Sequence, residues 1–202
     1  MGTSPQIPMK RLIFLLLALI SLAGAEENAA PWPPKGYAHV VAFCYDNGKD
    51  PRGHQIVFPG KTLHRGIIKA ATVRLSKEQS ERLVKILTTP KGELEEEDCY
   101  DPHHGFVFYD RDWNVVGWFE VCFLCWGYVA SSQAVPEMID YEALEAFTRD
   151  AGVPVLKDGG AYGKLFQKEN PPPTADGKKE EAPEKRAPAF KNEDPFASDP
   201  GQ

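Results

Sequence analysis

Cys99-Tyr-Asp-Pro102-His103-His104-Gly105-Phe-Val-Phe-Tyr109-Asp110-Arg-Asp-Trp113-Asn114-Val115-Val-Gly-Trp118-Phe119-Glu120-Val-Cys122-Phe123-Leu-Cys125 is the stretch on which the reading of this chain turns. Residues 105–110 and 115–123 are rich in aromatic and β-branched side chains, and a short polar link, 110–114, separates them. So short a link makes the two runs pair antiparallel, as a hairpin. Residues near Gly105 then face residues near Phe119 to Phe123. Cys99 and His104 are therefore expected at the same end of the hairpin as Cys122 and Cys125.

Working outward, residues 37–45 alternate Tyr37, His39, Val41, Phe43 and Tyr45 against Ala38, Val40, Ala42 and Cys44. Both sets are largely apolar, which predicts a central strand covered on both faces. The run 46–53, dense in Asp, Asn, Gly and Pro, is a loop. Residues 55–58 read as a short strand stopped by Pro59-Gly60, and residues 66–75 as another strand. Ser76 with Gln79 forms a capping-box pattern that opens a helix running to about Thr88, with Leu83, Ile86 and Leu87 on its apolar stripe. Residues 93–98 carry five acids around Leu94 and read as a solvated loop. Residues 128–134 are irregular or a further strand. A second helix over 140–151 places Tyr141, Leu144, Phe147 and Ala151 on one face, with Gly152 and Pro154 as its stop. The expected fold class is α+β: a small antiparallel sheet with two helices packed on one face.

The two ends have a different character. Lys10 and Arg11 precede an apolar run, 12–22, and Ala23-Gly24-Ala25 supplies small residues, so residues 1–25 read as a signal peptide cut before Glu26. Removing them lowers the net charge of −6 by two, since two cations and no acids are lost. That balance argues against a nucleic-acid surface. Residues 26–36, with Pro31, Pro33 and Pro34 around Trp32, form an extended leader. The single domain spans 37–168, and residues 169–202, rich in Pro, Lys and Glu, read as a disordered tail. The reading places the protein in a secreted or periplasmic compartment, with no membrane span once the leader is removed.

Three chemistries fit the cysteines. A Cys₃His zinc site would use Cys99, His104, Cys122 and Cys125, with His103 as the alternative nitrogen ligand. Disulfides would pair Cys122 with Cys125, or Cys99 with either, clipping the hairpin to the preceding loop. A redox dithiol would use the same sulfurs beside an imidazole. Residues three apart on a strand point to opposite faces, so the two sulfurs of Cys122-Phe-Leu-Cys125 converge only if the chain turns after Phe123. Cys44 shares its strand face with small apolar residues and reads as a buried hydrophobe. Trp126 stands where a haem-attachment sequence needs histidine, and no nucleophile elbow, zinc-protease helix or phosphate loop is present. Glu120 lies on the same strand face as Cys122 and is a candidate partner of His104 in acid–base chemistry.

The run Cys99-Tyr-Asp-Pro102-His103-His104-Gly105 through Tyr109-Asp110, with Cys122-Phe-Leu-Cys125, resembles a group of uncharacterised exported bacterial proteins with a C-x-x-P-x-H-G…F-Y-D…C-x-x-C core. The resemblance covers about residues 70–155. It implies that Cys99, His104, Cys122 and Cys125 act as a unit with Cys44 outside it, and it implies no substrate. The expected function is a non-enzymatic binding or envelope-associated domain with a protein or small-molecule partner. The alternative is a periplasmic thiol oxidoreductase or a metal-dependent enzyme built on the same cluster, with zinc as the cofactor to test.

Overall fold

The computed structural model describes residues 30–91 and 99–171. The expected export segment, the acidic run 93–98 and the tail beyond residue 171 lie outside these. The chain forms β1 (His39–Cys44), β2 (Val57–Phe58), β3 (Thr62–Leu63), β4 (Val73–Arg74) and α1 (Lys77–Thr88), followed by β5 (His104–Tyr109), β6 (Val115–Cys122), β7 (Gly127–Ala130), α2 (Tyr141–Asp150) and α3 (Gly159–Glu169).

Five strands make one antiparallel sheet in the order β4-β1-β5-β6-β7. The expected hairpin is β5–β6, in the register Gly105↔Glu120 and Phe106↔Phe119. Alternation along β1 and β5 sends Val40, Ala42, Phe106 and Phe108 to one face, where they pack with Leu83 of α1, Phe147 of α2 and Tyr162 of α3. Val41, Phe43 and Val107 face the other way and pack with Ile56, Leu63 and Trp113. Both faces are thus covered, which is why β1 and β5 are apolar almost throughout. The three described α-helices sit on one face; the small β2–β3 hairpin and its loop close the other.

Local signals account for most elements. At the start of α1, Ser76 Oγ accepts the Gln79 amide at 3.1 Å while Gln79 Oε1 accepts the Ser76 amide at 2.8 Å. Asp140 caps α2, accepting the Ala143 amide at 3.0 Å. Trp32 docks edge-on against Phe108 with ring centroids 5.1 Å apart, which anchors the segment 31–34 on the helix-bearing face.

Two expectations need correction. Residues 66–75 do not form a continuous strand. The ends hold β1, through Ile68 N–H to Cys44 O and Leu75 N–H to Val40 O, both at 2.9 Å, but Lys69–Ala71 bows out as a 3-10 turn. The reason is tertiary: the Glu169 carboxylate at the end of α3 accepts the amides of Lys69 and Ala70, at 2.9 and 3.2 Å. The second correction is α3 itself, a third helix capped by Asp158, whose Oδ1 accepts the Ala161 amide at 2.9 Å.

Candidate functional site

The β6–β7 connection is the turn the C-x-x-C requires. Cys122 ends β6 and pairs with Gly127 at the start of β7, so Phe123 to Trp126 form a four-residue turn. Trp126 closes it with φ of 49°, a left-handed conformation that glycine adopts most cheaply. Cys99 and Cys125 are joined in a disulfide with Cα atoms 5.8 Å apart and 26 residues of sequence separation. In the loop-closure picture such a ring contributes about 3.5 kcal/mol of stability. The bond fixes the segment leading into β5 to the far end of β6, the clip anticipated for the disulfide reading. Cys44 and Cys122 are free and buried.

Beneath the clip lies a buried acid. Glu120 is 1% exposed. Its Oε2 accepts the Ile56 amide at 2.7 Å and its Oε1 accepts the Tyr100 hydroxyl at 3.0 Å. Burial pushes the Glu120 carboxyl above its ordinary range, and the two donors pull it partly back. Gly105 stands opposite Glu120 because Ile56 covers it: a Cβ there would sit 2.7 Å from Ile56 Cγ1. Tyr45, fully buried beside this acid, has its hydroxyl held well above its ordinary range by burial first and by Glu120 next. That hydroxyl donates to His54 O at 3.0 Å.

The two histidines part company. His103 stacks on Tyr162 with centroids 4.0 Å apart, and its ring nitrogens meet Tyr45 O at 2.9 Å and Asp101 Oδ2 at 3.3 Å. Asn47 donates to the other Asp101 oxygen. His104 pairs across the sheet with Cys44 on one side and Val121 on the other, which puts its ring on the helix-bearing face. Its Nε2 lies 3.0 Å from Pro154 O, an acceptor, so the proton sits on Nε2. Nδ1 has no hydrogen-bond partner among the described residues. Burial holds the ring down to about 4, and the Cys44 thiol beside it is pushed up to about 12 by the same cause.

Of the four sequence-nominated ligands, Cys99 and Cys125 are thus bonded to each other, Cys122 is buried and free at the end of β6, and His104 is committed to Pro154 and Tyr162 on the helix-bearing face. Among the described residues, no three His, Cys, Asp or Glu side chains are grouped to hold a metal ion. His104 and Glu120 belong to adjacent positions of the ladder and so to opposite faces; the acid–base pair is not assembled.

Tyr100 and Asp101 went unnoticed in the sequence, although they are the residues that tie the clipped segment to Glu120 and His103. A second polar network was also missed. Asp50 is held well below the usual carboxylate range by the Arg52 guanidinium, which donates from Nε at 2.9 Å and Nη2 at 2.6 Å. The Arg65 amide adds a third bond at 2.9 Å. The Asp50-Pro-Arg52 turn was its only visible sign.

Three of the large apolar side chains exposed among the described residues, Tyr100, Leu124 and Trp126, lie at this end of the sheet. Leu124 and Trp126, 41% and 42% exposed, crown the turn, and Tyr100 lies against Gly127 beside it. Trp126 also lies parallel to Tyr141 with centroids 6.0 Å apart. Comparison with protein-family models, with curated proteins and with solved structures finds no match.

Proposed function

We propose that this chain is an exported binding domain that presents the disulfide-clipped turn, Leu124 and Trp126, to an apolar pocket of a partner protein. The observation that carries the reading is Trp126: a large aromatic side chain, half in solvent, kept at a left-handed position where glycine would be less strained. Tryptophan is the residue type that most often dominates a binding surface. The Cys99–Cys125 bond supports the reading by holding the turn in one geometry, which lowers the ordering cost of association. The same disulfide supports an oxidising compartment.

A photo-crosslinking side chain placed at Leu124 in the native cell tests this. Adducts to one discrete protein are expected from position 124, lost on Trp126→Gly, and absent from a control at Lys77 on α1. Equal labelling from both positions would refute the proposal.

The metal reading for Cys99, His104, Cys122 and Cys125 needs the disulfide reduced and His104 released from Pro154. Thiol counting with native mass decides it. One disulfide and two thiols, indifferent to a chelator and with no metal in the native mass, are expected. Four thiols unmasked together with loss of one metal mass would replace the binding reading by a metal-centred one.

A further inference from the structure

Cys122 is a free thiol at the last position of β6, directly before the four-residue turn that carries one half of a disulfide. In a tight turn, a residue and the third after it have Cα atoms within about 7 Å. A disulfide spans Cα separations of roughly 4.4–6.8 Å. By that Cα geometry Cys125 has a second cysteine at a bonding separation besides Cys99, to which it is bonded: Cys122, three residues earlier at the end of β6. Their surroundings differ. Cys122 is buried against the sheet, whereas Cys99 is exposed, outside any strand. Cys44, the other free thiol, lies two strands away on β1, and its ladder partner is His104.

We propose that this hairpin is an intramolecular thiol–disulfide exchange site, in which Cys122 displaces Cys99 from Cys125 and delivers Cys99 to the surface as a reactive thiol. The Cys122 thiol loses its proton to water, and the thiolate attacks Cys125 Sγ along the Cys99–Cys125 bond. The Cys122–Cys125 bond forms, the Cys99–Cys125 bond breaks, and Cys99 leaves as a thiolate that takes up a proton. Electrons balance within the molecule, so no oxidant or reductant enters.

The two isomers differ in what they hold. The Cys99–Cys125 form ties the segment before β5 to the turn across 26 residues. The Cys122–Cys125 form closes only the turn, releases that segment, and leaves Cys99 as a thiol on it. The exposed Cys99 is then open to a disulfide-bearing molecule, by the same exchange chemistry. The inference stands apart from the binding proposal, because the exchange needs no partner.

Tryptic peptides resolve the isomers. Cleavage at Lys91, Arg111 and Arg149 puts Cys99 on peptide 92–111 and both Cys122 and Cys125 on peptide 112–149. The full-length folded protein is incubated with N-ethylmaleimide at mildly alkaline pH, quenched with acid and digested without reductant. The expected product is peptide 92–111 labelled on Cys99, with an internal Cys122–Cys125 bond in peptide 112–149. The label on Cys99 should vanish in Cys122→Ser and persist in Cys44→Ser. Label on Cys122 with the two peptides still joined would overturn the proposal, as would a Cys44-containing bond. Because the wild-type map alone gives either answer, the test survives misfolding of a variant.

Discussion

Tyr100 donates its hydroxyl to Glu120 Oε1 at 3.0 Å, one residue after the disulfide-bonded Cys99 and beside the strand that carries the free Cys122. The covalent clip and the buried acid are therefore one structural unit: the disulfide places Tyr100, and Tyr100 satisfies an oxygen that has no access to water. Truncating the hydroxyl in Tyr100→Phe leaves that oxygen unpaired. A loss of about 1–3 kcal/mol is expected, read from urea denaturation midpoints, with the Cys99–Cys125 bond intact by mass.

Glu120 makes stability fall with rising pH. Burial raises its folded pKa above the ordinary value of 4.5. The group's contribution is then complete below 4.5 and is lost as pH rises through the folded value. Glu120→Gln keeps an acceptor for the Ile56 amide and does not titrate. Its stability relative to wild type should rise over that window. Parallel pH profiles of the two proteins would sink this account.

His104 acts with the opposite sign. Its ring is held down to about 4 by burial, from an ordinary 6.5. The unfolded chain takes up a proton first, so stability present above 6.5 is lost as pH falls through about 4. The full loss from this group is roughly 3 kcal/mol. Imidazole carbon shifts measured during acid titration should show His104 neutral, protonated on Nε2, across pH values where an exposed histidine has charged. A midpoint near the ordinary value contradicts the burial assignment.

Trp126→Gly separates fold from recognition. Glycine relieves the left-handed backbone, while the variant gives up the ring's partial contact with Tyr141. Thermal stability should change by no more than about 1 kcal/mol, and crosslinking from position 124 should disappear. A variant that loses more than this without losing its adducts would mean that the ring serves packing.

Gly105→Ala tests the packing of Ile56 over Gly105 and Glu120. The new Cβ meets Ile56 Cγ1 at 2.7 Å and Ile56 Cβ at 2.9 Å, and the amide that holds Glu120 belongs to the same residue. Moving Ile56 costs packing and a hydrogen bond together, so a loss of about 2–3 kcal/mol is expected. Urea unfolding checks it.

Elements with strong local signals could be read from residues alone. The alternation in β1, the short link of the β5–β6 hairpin and the Ser76–Gln79 box each bias the backbone before any tertiary contact forms. α3 was hidden for the opposite reason. Gly159, Gly160 and Gly163 are poor helix formers, and the structure uses their lack of side chains: a Cβ on Gly159 would lie 3.0 Å from Asp101 Oδ2, and one on Gly163 3.3 Å from Asp46 Oδ2. The alternation over 66–75 suggested a strand, but Glu169, about a hundred residues on, captures two of its amides. At the site, the register brought Cys99 near Cys125 on paper, yet spacing alone left three pairings open. Nor did any local pattern foretell that His104 and Glu120 would be separated by the sheet.

The strand order has a consequence for how the chain acquires its structure. β1 is flanked by β4 and β5, and its long partner β5 begins 60 residues after β1 ends, His104 against Cys44. The β5–β6–β7 meander is local and can close early, with Cys99–Cys125 forming inside it. β1, apolar on both faces, must wait for that template to exist. Pairings so distant are slow to find, and an unpaired apolar strand is exposed meanwhile to other chains. Refolding at rising protein concentration should therefore lose yield through aggregation seeded by residues 39–44, while the meander with its disulfide is already in place.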